Sequence, residues 1–351
     1  MAARLAQICP TTHRVLLIEP HTHFHHIFTF PRFALIPGYE HKAFVPYTAQ
    51  FSSAPRPDSH AIVPARVLSI RSRSLKLDRE WERSTEIPFD YLVLATGTTL
   101  TQPSAVKEDG KFASIKYLRK HQDQVKKAKS ILIAGGGAAG VQMATDLREY
   151  FPDKQVTLVQ SRDRLMPKFH PEFHELIKRR FDELGVNFRT GARVVIPQGG
   201  FPDEEGSVNV ELSNGGVVST DFVILATGQR ANNSPIAELK SSDGGSVINP
   251  ENGMVRVRPT LQFADSKYDN LFAVGDIADT GAHKAARPGM AQADVVTANI
   301  KSLLDGQAPK ETFTIAPAAI HMTLGMTYNV IFRNPNSAEG QTEPTVIEKQ
   351  E

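Results

Sequence analysis

The segment Ser130–Tyr150, SILIAGGGAAGVQMATDLREY, constrains the fold of this chain more than any other stretch. An unbroken apolar run, Ile131–Ala134, leads into Gly135-Gly136-Gly137-Ala138-Ala139-Gly140, which satisfies G-x-G-x-x-G, and a helical pattern follows. Gln155–Gln160 (QVTLVQ) then reads as a second strand. Strands apolar at successive positions are buried on both faces, as in a parallel sheet covered by helices. The glycines have separate physical roles. Gly135 permits a tight turn, Gly137 lets the backbone approach a pyrophosphate, and Gly140 lets helix and strand pack closely. The helix N-terminus then offers N–H groups and the positive end of its dipole to phosphate. The expectation is a nucleotide-binding α/β unit.

Gln160 lies about 20 residues beyond the last glycine, where a ribose-reading residue is expected. A site built for NAD carries Asp or Glu there, to accept from the ribose 2′-hydroxyl. Gln160-Ser161-Arg162 is neutral and then cationic. Arg162 could pair with a 2′-phosphate that a carboxylate would repel, so NADPH is expected to be taken at least as well as NADH.

The rest of the chain repeats the strand-and-glycine theme. Met1–Cys9 is helix-like and feeds Arg14–Glu19 (RVLLIE), a buried strand ending in an acid. Residues 31–64, rich in Phe, Pro and His, read as loop with short helical pieces. Arg66–Leu77 and Phe89–Leu94 read as strands, and a basic helix is expected over about 115–129. Pro171–Leu184 is an amphipathic helix with Gly185 at its C-terminal cap. Val208–Leu212, Asn214-Gly215-Gly216 and Val217–Ser219 predict a hairpin. Further buried strands are Phe222–Gly228 (FVILATG) and Asn270–Asp276 (NLFAVGD), with a helix over about 288–304. A strand pair is expected within 312–332, and the last ~18 residues read as loose and polar.

Glu19 at one strand end, Ala95-Thr96-Gly97 and Ala226-Thr227-Gly228 at two more, and Val274-Gly275-Asp276 at a fourth form one pattern with the central glycine motif. In this order and spacing, the set resembles the two-dinucleotide-binding flavoproteins of the pyridine nucleotide-disulfide oxidoreductase superfamily. The cysteine-poor branch, apoptosis-inducing-factor-like and ferroptosis-suppressor-like, is the more similar. The resemblance covers nearly the whole chain. It implies an α/β fold of two Rossmann-like dinucleotide-binding domains, the NAD(P) domain inserted into the FAD domain, with a small C-terminal piece. Residues 1–104 with 246–305 would form the FAD-binding-type domain, 105–245 the NAD(P) domain, and 306–351 a partial C-terminal interface segment.

By the same resemblance, Glu19 would hold the FAD adenosine ribose, and Val67 would meet the adenine through its backbone. Gly275-Asp276 would bind the ribitol or pyrophosphate end, and Arg32 would be a flavin-side arginine. Thr96 and Gly97 would line the flavin-side strand exit, and Gly228 the nicotinamide side. The helix from about Pro288 would point its N-terminus at the flavin. A member of this family opens with a strand and G-x-G-x-x-G loop of its own. This chain starts in the helix that should follow, so it is expected to be truncated by about 15–25 residues at the N-terminus, taking ~5–6 for the strand, and to be short at the C-terminus.

The implied activity is FAD-dependent NAD(P)H oxidation, with hydride passing to flavin N5 and electrons passing on to a quinone-like acceptor or O₂. The cofactors carry that chemistry, and no side chain is assigned as acid, base or nucleophile. Two other readings stand beside it: a flavin-deficient short form acting as an NAD(P)-binding or interaction protein, and a tailoring oxidoreductase of a biosynthetic pathway. The single cysteine, Cys9, excludes a redox-active cysteine pair and a cysteine-based zinc site. The cluster His21, His23, His25, His26 lacks accompanying acids or cysteines at ligand spacing and is read as packing or flavin-edge contacts, not as a metal site. A net charge of +2 without a basic run gives no argument for nucleic acid. A membrane surface is left open as a partner, as is oligomerisation. The compartment is read as cytoplasmic, with mitochondrial association left open.

Overall fold

The computed structural model describes residues 1–202 and 206–350. Residue 351, the end of the expected C-terminal segment, lies outside the described residues, as do 203–205 within the expected NAD(P) domain. The chain forms two compact units, one of residues 1–24, 46–99 and 230–316, the other of 25–45, 100–229 and 317–351.

The second unit is built on a four-stranded parallel sheet in the order Asn187–Arg189, Gln155–Val159, Ser130–Ala134, Phe222–Leu225. Residues 131–134 are all buried, as a central parallel strand requires. Alternate residues serve opposite faces. Ile131, Ile133, Val156 and Leu158 pack with Val141, Ala144 and Leu147 of the helix Ala138–Tyr150 and with Phe173, Ile177 and Phe181 of the helix Pro171–Leu184. Leu132, Ala134 and Val159 pack instead with Val210 and Leu212 of the hairpin Val208–Glu211/Val217–Thr220. Gly185 caps the helix Pro171–Leu184 in the left-handed region, φ 67°, which glycine adopts without steric cost. The expected basic helix spans Lys111–Lys127.

The C-terminal residues differ from the sequence reading. Ala319–Thr323, Tyr328–Arg333 and Thr345–Gln350 form a three-stranded antiparallel sheet, so the end of the described chain is a strand rather than a loose tail. Its polar composition is that of an edge strand with one solvated face. Val346 packs onto the core, and Glu348 pairs with Arg179 at 2.6 Å. The sheet is seated by Phe332, which stacks on Phe173 at 4.5 Å between ring centroids.

Among the described residues the first unit contains three parallel strand pairs, the short Val255–Arg256 with Ala278–Asp279 and the longer Leu16–Ile18 with Ala61–Val63 and Leu92–Leu94 with Leu271–Ala273. Both longer pairs contribute to one core, which includes Val63, Leu94, Leu271 and Ala273. The stretch expected as one strand over 66–77 is a hairpin: Val67–Ile70 turns into Ser74–Trp81, closed by Arg71 N–H donating to the Ser74 carbonyl at 2.8 Å, and Ser84–Pro88 completes an antiparallel sheet. The helices Ala2–Ile8 and Ala286–Leu304 belong to this unit and are tied by Arg4–Asp294 at 2.9 Å. Among the described residues no helix is long and apolar enough to cross a membrane.

The grouping into units differs from the domain boundaries expected above. Residues 25–45 and 317–351 lie with the nucleotide sheet, because Leu35, Ile36, Met322 and Phe332 share the core of that sheet.

His60 underpins the strand that delivers Glu19. Its Nδ1 accepts from Val15 N–H at 3.1 Å and its ring packs on Phe51 at 5.3 Å, with 8% of the residue exposed. Burial, with Arg56 nearby, lowers the imidazole pKa. A histidine whose folded pKa lies below its unfolded value contributes stability above about pH 6.5, and loses it as pH falls through that value. In His60→Asn, the amide oxygen can keep the Val15 bond without titrating. The stability gap between wild type and His60→Asn, measured by urea unfolding, is expected to shift in favour of the variant between pH 7 and pH 5.

Candidate functional site

The nucleotide loop is set by two close approaches. A Cβ on Gly140 would stand 1.9 Å from the Gly135 carbonyl oxygen, and one on Gly135 would stand 2.2 Å from the Ala226 carbonyl oxygen. Gly135 also has φ 120°. Neither position admits a side chain. Gly137 is the opposite case: a Cβ there would meet nothing within 4 Å. Gly137 is the N-cap of the helix Ala138–Tyr150, and no side chain caps it. The unpaired N–H groups of that helix end therefore face open space beside a residue without a side chain, which is the cradle a pyrophosphate requires. The residues present fit a dinucleotide here.

Around the loop, the parallel register brings neighbouring strand ends together. Ala226 N–H donates to the Ala134 carbonyl at 2.8 Å, which sets the Ala226–Gly228 turn beside Gly135; Gly228 has φ 108° with nothing within 4 Å of a Cβ. Gln160 is buried, and its side chain holds the loop from inside. Its Oε1 accepts from Gly136 N–H at 3.2 Å and Ser161 N–H at 3.1 Å, and its Nε2 donates to the Arg164 carbonyl at 3.1 Å. The expected ribose reader is thus a latch on the turn. Arg162 follows it, exposed.

In the first unit, Glu19 ends its strand with its N–H on the Val63 carbonyl at 3.0 Å, four residues before Val67, which opens the Val67–Ile70 strand. The Glu19 carboxylate accepts from His21 N–H at 3.0 Å, contacts His21 Nδ1 at 2.5 Å, and takes a hydrogen bond from the Tyr47 hydroxyl, whose pKa is raised by burial and by Glu19. Its side chain keeps 26% exposure, so a hydroxyl donor can still reach it. Thr96 and Gly97 are tied to Asn232: the Thr96 hydroxyl donates to the Asn232 carbonyl at 2.7 Å, and Asn232 N–H donates to the Gly97 carbonyl at 3.0 Å. The pairing of Leu92–Leu94 with Leu271–Ala273 brings the Thr98 hydroxyl to the Asp276 carboxylate at 3.3 Å. Gly275 has φ 75°, a Cβ there would meet nothing within 4 Å, and its N–H donates to the buried Gln292 side chain at 2.7 Å. The helix Ala286–Leu304 has no side-chain cap at its N-terminus. These groups fit the ribose end and the flavin end of FAD. Among the described residues, the strand–glycine-loop–helix motif occurs in the second unit and not in the first.

Arg32 is engaged within the second unit. Its Nε and Nη2 bind both oxygens of Asp146 at 2.9 and 2.8 Å, and Nη2 also donates to the Thr323 hydroxyl and the Gly325 carbonyl at 2.8 and 2.9 Å. The Asp146 side chain is wholly buried. Burial pushes its carboxyl pKa up, and the Arg32 charge opposes that shift. The pair binds the short helix Phe30–Phe33 and the C-terminal sheet to the glycine-loop helix. In the histidine cluster, His25 packs against Phe30 and Phe44 at 5.9 and 5.0 Å, and His21 sits on Glu19.

Sequence reasoning did not find Tyr47, Gln292 or Asp146. Asp146 left a signal, since it is an acid on a helix face otherwise lined by Val141, Ala144 and Leu147 and needs a buried cation. Tyr47 and Gln292 left none.

The family model for pyridine nucleotide-disulphide oxidoreductases matches residues 1–298. The chain belongs to this family. It is 36% identical over 337 residues to Fe-regulated protein 8 of Mycosarcoma maydis, covering 90% of this chain and 81% of that protein. It is 28% identical over 320 residues to ferroptosis suppressor protein 1 of Mus musculus, covering 90% and 80%. Among solved structures, the sulfide:quinone oxidoreductase of Aquifex aeolicus superposes with a TM-score of 0.72 at 17% identity, covering 99% of this chain and 83% of that one; that likeness concerns the fold. This family member is an oxidoreductase that depends on FAD and NAD(P)H.

Two predictions follow from the geometry. Gly137→Ala is expected to keep the fold to within about 1 kcal/mol yet abolish detectable nucleotide binding in a fluorescence titration, whereas Gly140→Ala is expected to lower the melting temperature as well. Arg32→Ala leaves Asp146 buried without a partner and is expected to cost about 3–5 kcal/mol in urea unfolding. Arg32→Lys is expected to recover little of this, because an ammonium cannot make the paired contact.

Proposed function

We propose that this protein oxidises NAD(P)H and passes the electrons, by way of FAD, to a quinone-like small acceptor or O₂. The observation that carries the reading is the cysteine count. Cys9 is the only cysteine in a family named for disulphide reduction, so no dithiol relay can form within the chain. Burial raises the Cys9 thiol pKa, which disfavours the nucleophilic thiolate. An acceptor that takes electrons without thiol exchange fits these facts. The names of two similar proteins support this direction: one is called FAD-dependent oxidoreductase FVFD30, from Flammulina velutipes, the other sulfide:quinone oxidoreductase.

The chain's own residues bind and orient. The open helix end at Gly137 holds a pyrophosphate, with Gln160 keeping the turn in place. Glu19, braced by His21 and Tyr47, offers its exposed side to a ribose hydroxyl. Gln292 pins the Gly275 turn, and Thr98 holds the Asp276 carboxylate. FAD, when bound, supplies the exchange between two-electron and one-electron chemistry that no side chain here provides.

A second reading has an observation of its own. Among the described residues the parallel strands of the first unit form three separate pairs and carry no strand–glycine-loop–helix motif, the arrangement a form that binds NAD(P) and acts by interaction would have. Purification separates the two. Under the first reading, the protein is yellow, oxidises NAD(P)H with an artificial quinone, and keeps its rate in Cys9→Ser. A colourless protein that binds NAD(P)H without oxidising it supports the second reading and overturns the first.

A further inference from the structure

The helix Lys111–Lys127 carries a charge imbalance that the chain as a whole conceals. We propose that its exposed face docks the protein on an anionic membrane surface, its lysine and arginine side chains meeting acidic lipid headgroups and the Phe112 ring entering the boundary beneath them. Docking of this kind requires neither nucleotide nor flavin, so it stands apart from the electron-transfer reading.

Three observations combine. The first is concentration of charge. Residues 111–129 hold seven Lys or Arg and a single acid, Asp123, a net of +6 in a chain whose net charge is +2, which leaves −4 for everything else. A surface shaped only for solubility intersperses both signs.

The second is placement. Ser114, Leu118, His121, Gln122 and Val125 are buried and fix the inner face of the helix. The five cations Lys116, Arg119, Lys120, Lys126 and Lys127 are exposed. At about 100° per residue they fall, with Phe112, within an arc of about 120° opposite the buried face. Acids answer them in part. Asp123 lies within the stripe, the buried Glu40 binds Arg119 at 2.6 Å, and Asp221 accepts from Lys129 and Ser130 N–H at the C-terminal end. Lys154 adds a cation at that end, its Nζ donating to the Lys126 carbonyl at 3.0 Å.

The third is aromatic. Phe112 is 88% exposed, the most exposed large apolar side chain among the described residues. Tyr39, exposed as well, carries Lys42 Nζ 4.7 Å over its ring, and the neighbouring Glu40 ties that segment to the helix through Arg119. Cations near an anionic leaflet are attracted to it, and an aromatic ring beside them inserts at the headgroup boundary. A polynucleotide would answer to the same charges, but one exposed ring on the stripe is no platform for successive bases.

Co-sedimentation of the full chain with vesicles of phosphatidylcholine, alone or mixed with phosphatidylserine, tests the assignment. Binding is expected to the mixed vesicles only, and to weaken as salt rises. Lys116→Gln/Lys126→Gln should bind about 25-fold more weakly, at ~fivefold for each cation removed. Phe112→Ser should lose about tenfold, the worth of the ring's burial. Both variants should keep the wild-type melting temperature, since the altered side chains are exposed. Absence of binding, equal binding to the two vesicle types, or binding that survives Lys116→Gln/Lys126→Gln overturns the proposal, as does retention of a single-stranded oligonucleotide without binding to vesicles. NAD(P)H oxidation with a soluble quinone, measured without vesicles, reads the oxidoreductase separately, so the two can fail independently.

Discussion

The approach of the glycine-loop helix to its own turn is the constraint on which the nucleotide site depends. With a Cβ excluded at Gly140 by the Gly135 carbonyl and at Gly135 by the Ala226 carbonyl, two strand ends and the first turn of the helix are drawn together. Close packing there turns the helix N-terminus outward with its N–H groups unpaired. A side chain at either glycine would separate helix from sheet, and the pyrophosphate cradle would be lost with the contact. Parallel strands make this possible because all their C-terminal ends emerge at the same edge.

Buried and half-buried charge organises the rest. Asp146 is wholly buried on the helix that carries the glycine loop, and Arg32 satisfies both of its oxygens. One ion pair thus holds together segments distant in sequence, residues 30–33 and the sheet that begins at Ala319. Such a pair adds little net stability over an apolar equivalent, but it is costly to break from one side. Glu19 shows a milder form of the same logic. His21 and Tyr47 brace its carboxylate while part of it stays exposed.

Much of this was legible along the chain. Apolar runs such as Ile131–Ala134 announce parallel strands because burial on both faces leaves no room for alternation. G-x-G-x-x-G announces its loop because each glycine meets a local steric demand. Gly185 and Asn214-Gly215 mark their helix end and hairpin for equally local reasons. The edge strand Thr345–Gln350 was not legible, since a strand with one solvated face looks polar until its partner is known. Nor were the tasks of Arg32 and Gln160, because a side chain's partner lies at a distance that local pattern does not encode.

By itself, the sequence determined the class of the protein: an α/β chain with one intact glycine loop, a set of strand-end residues that identifies its family, and no cysteine pair for thiol chemistry. Those properties are set by residue type and short spacing. Tertiary structure decided which polar groups remain available. It closed Gln160 onto the loop, committed Arg32 to Asp146, and left Arg162 facing outward without an ion-pair partner among the described residues. Availability depends on which donors and acceptors meet in space, and only the folded chain brings them together.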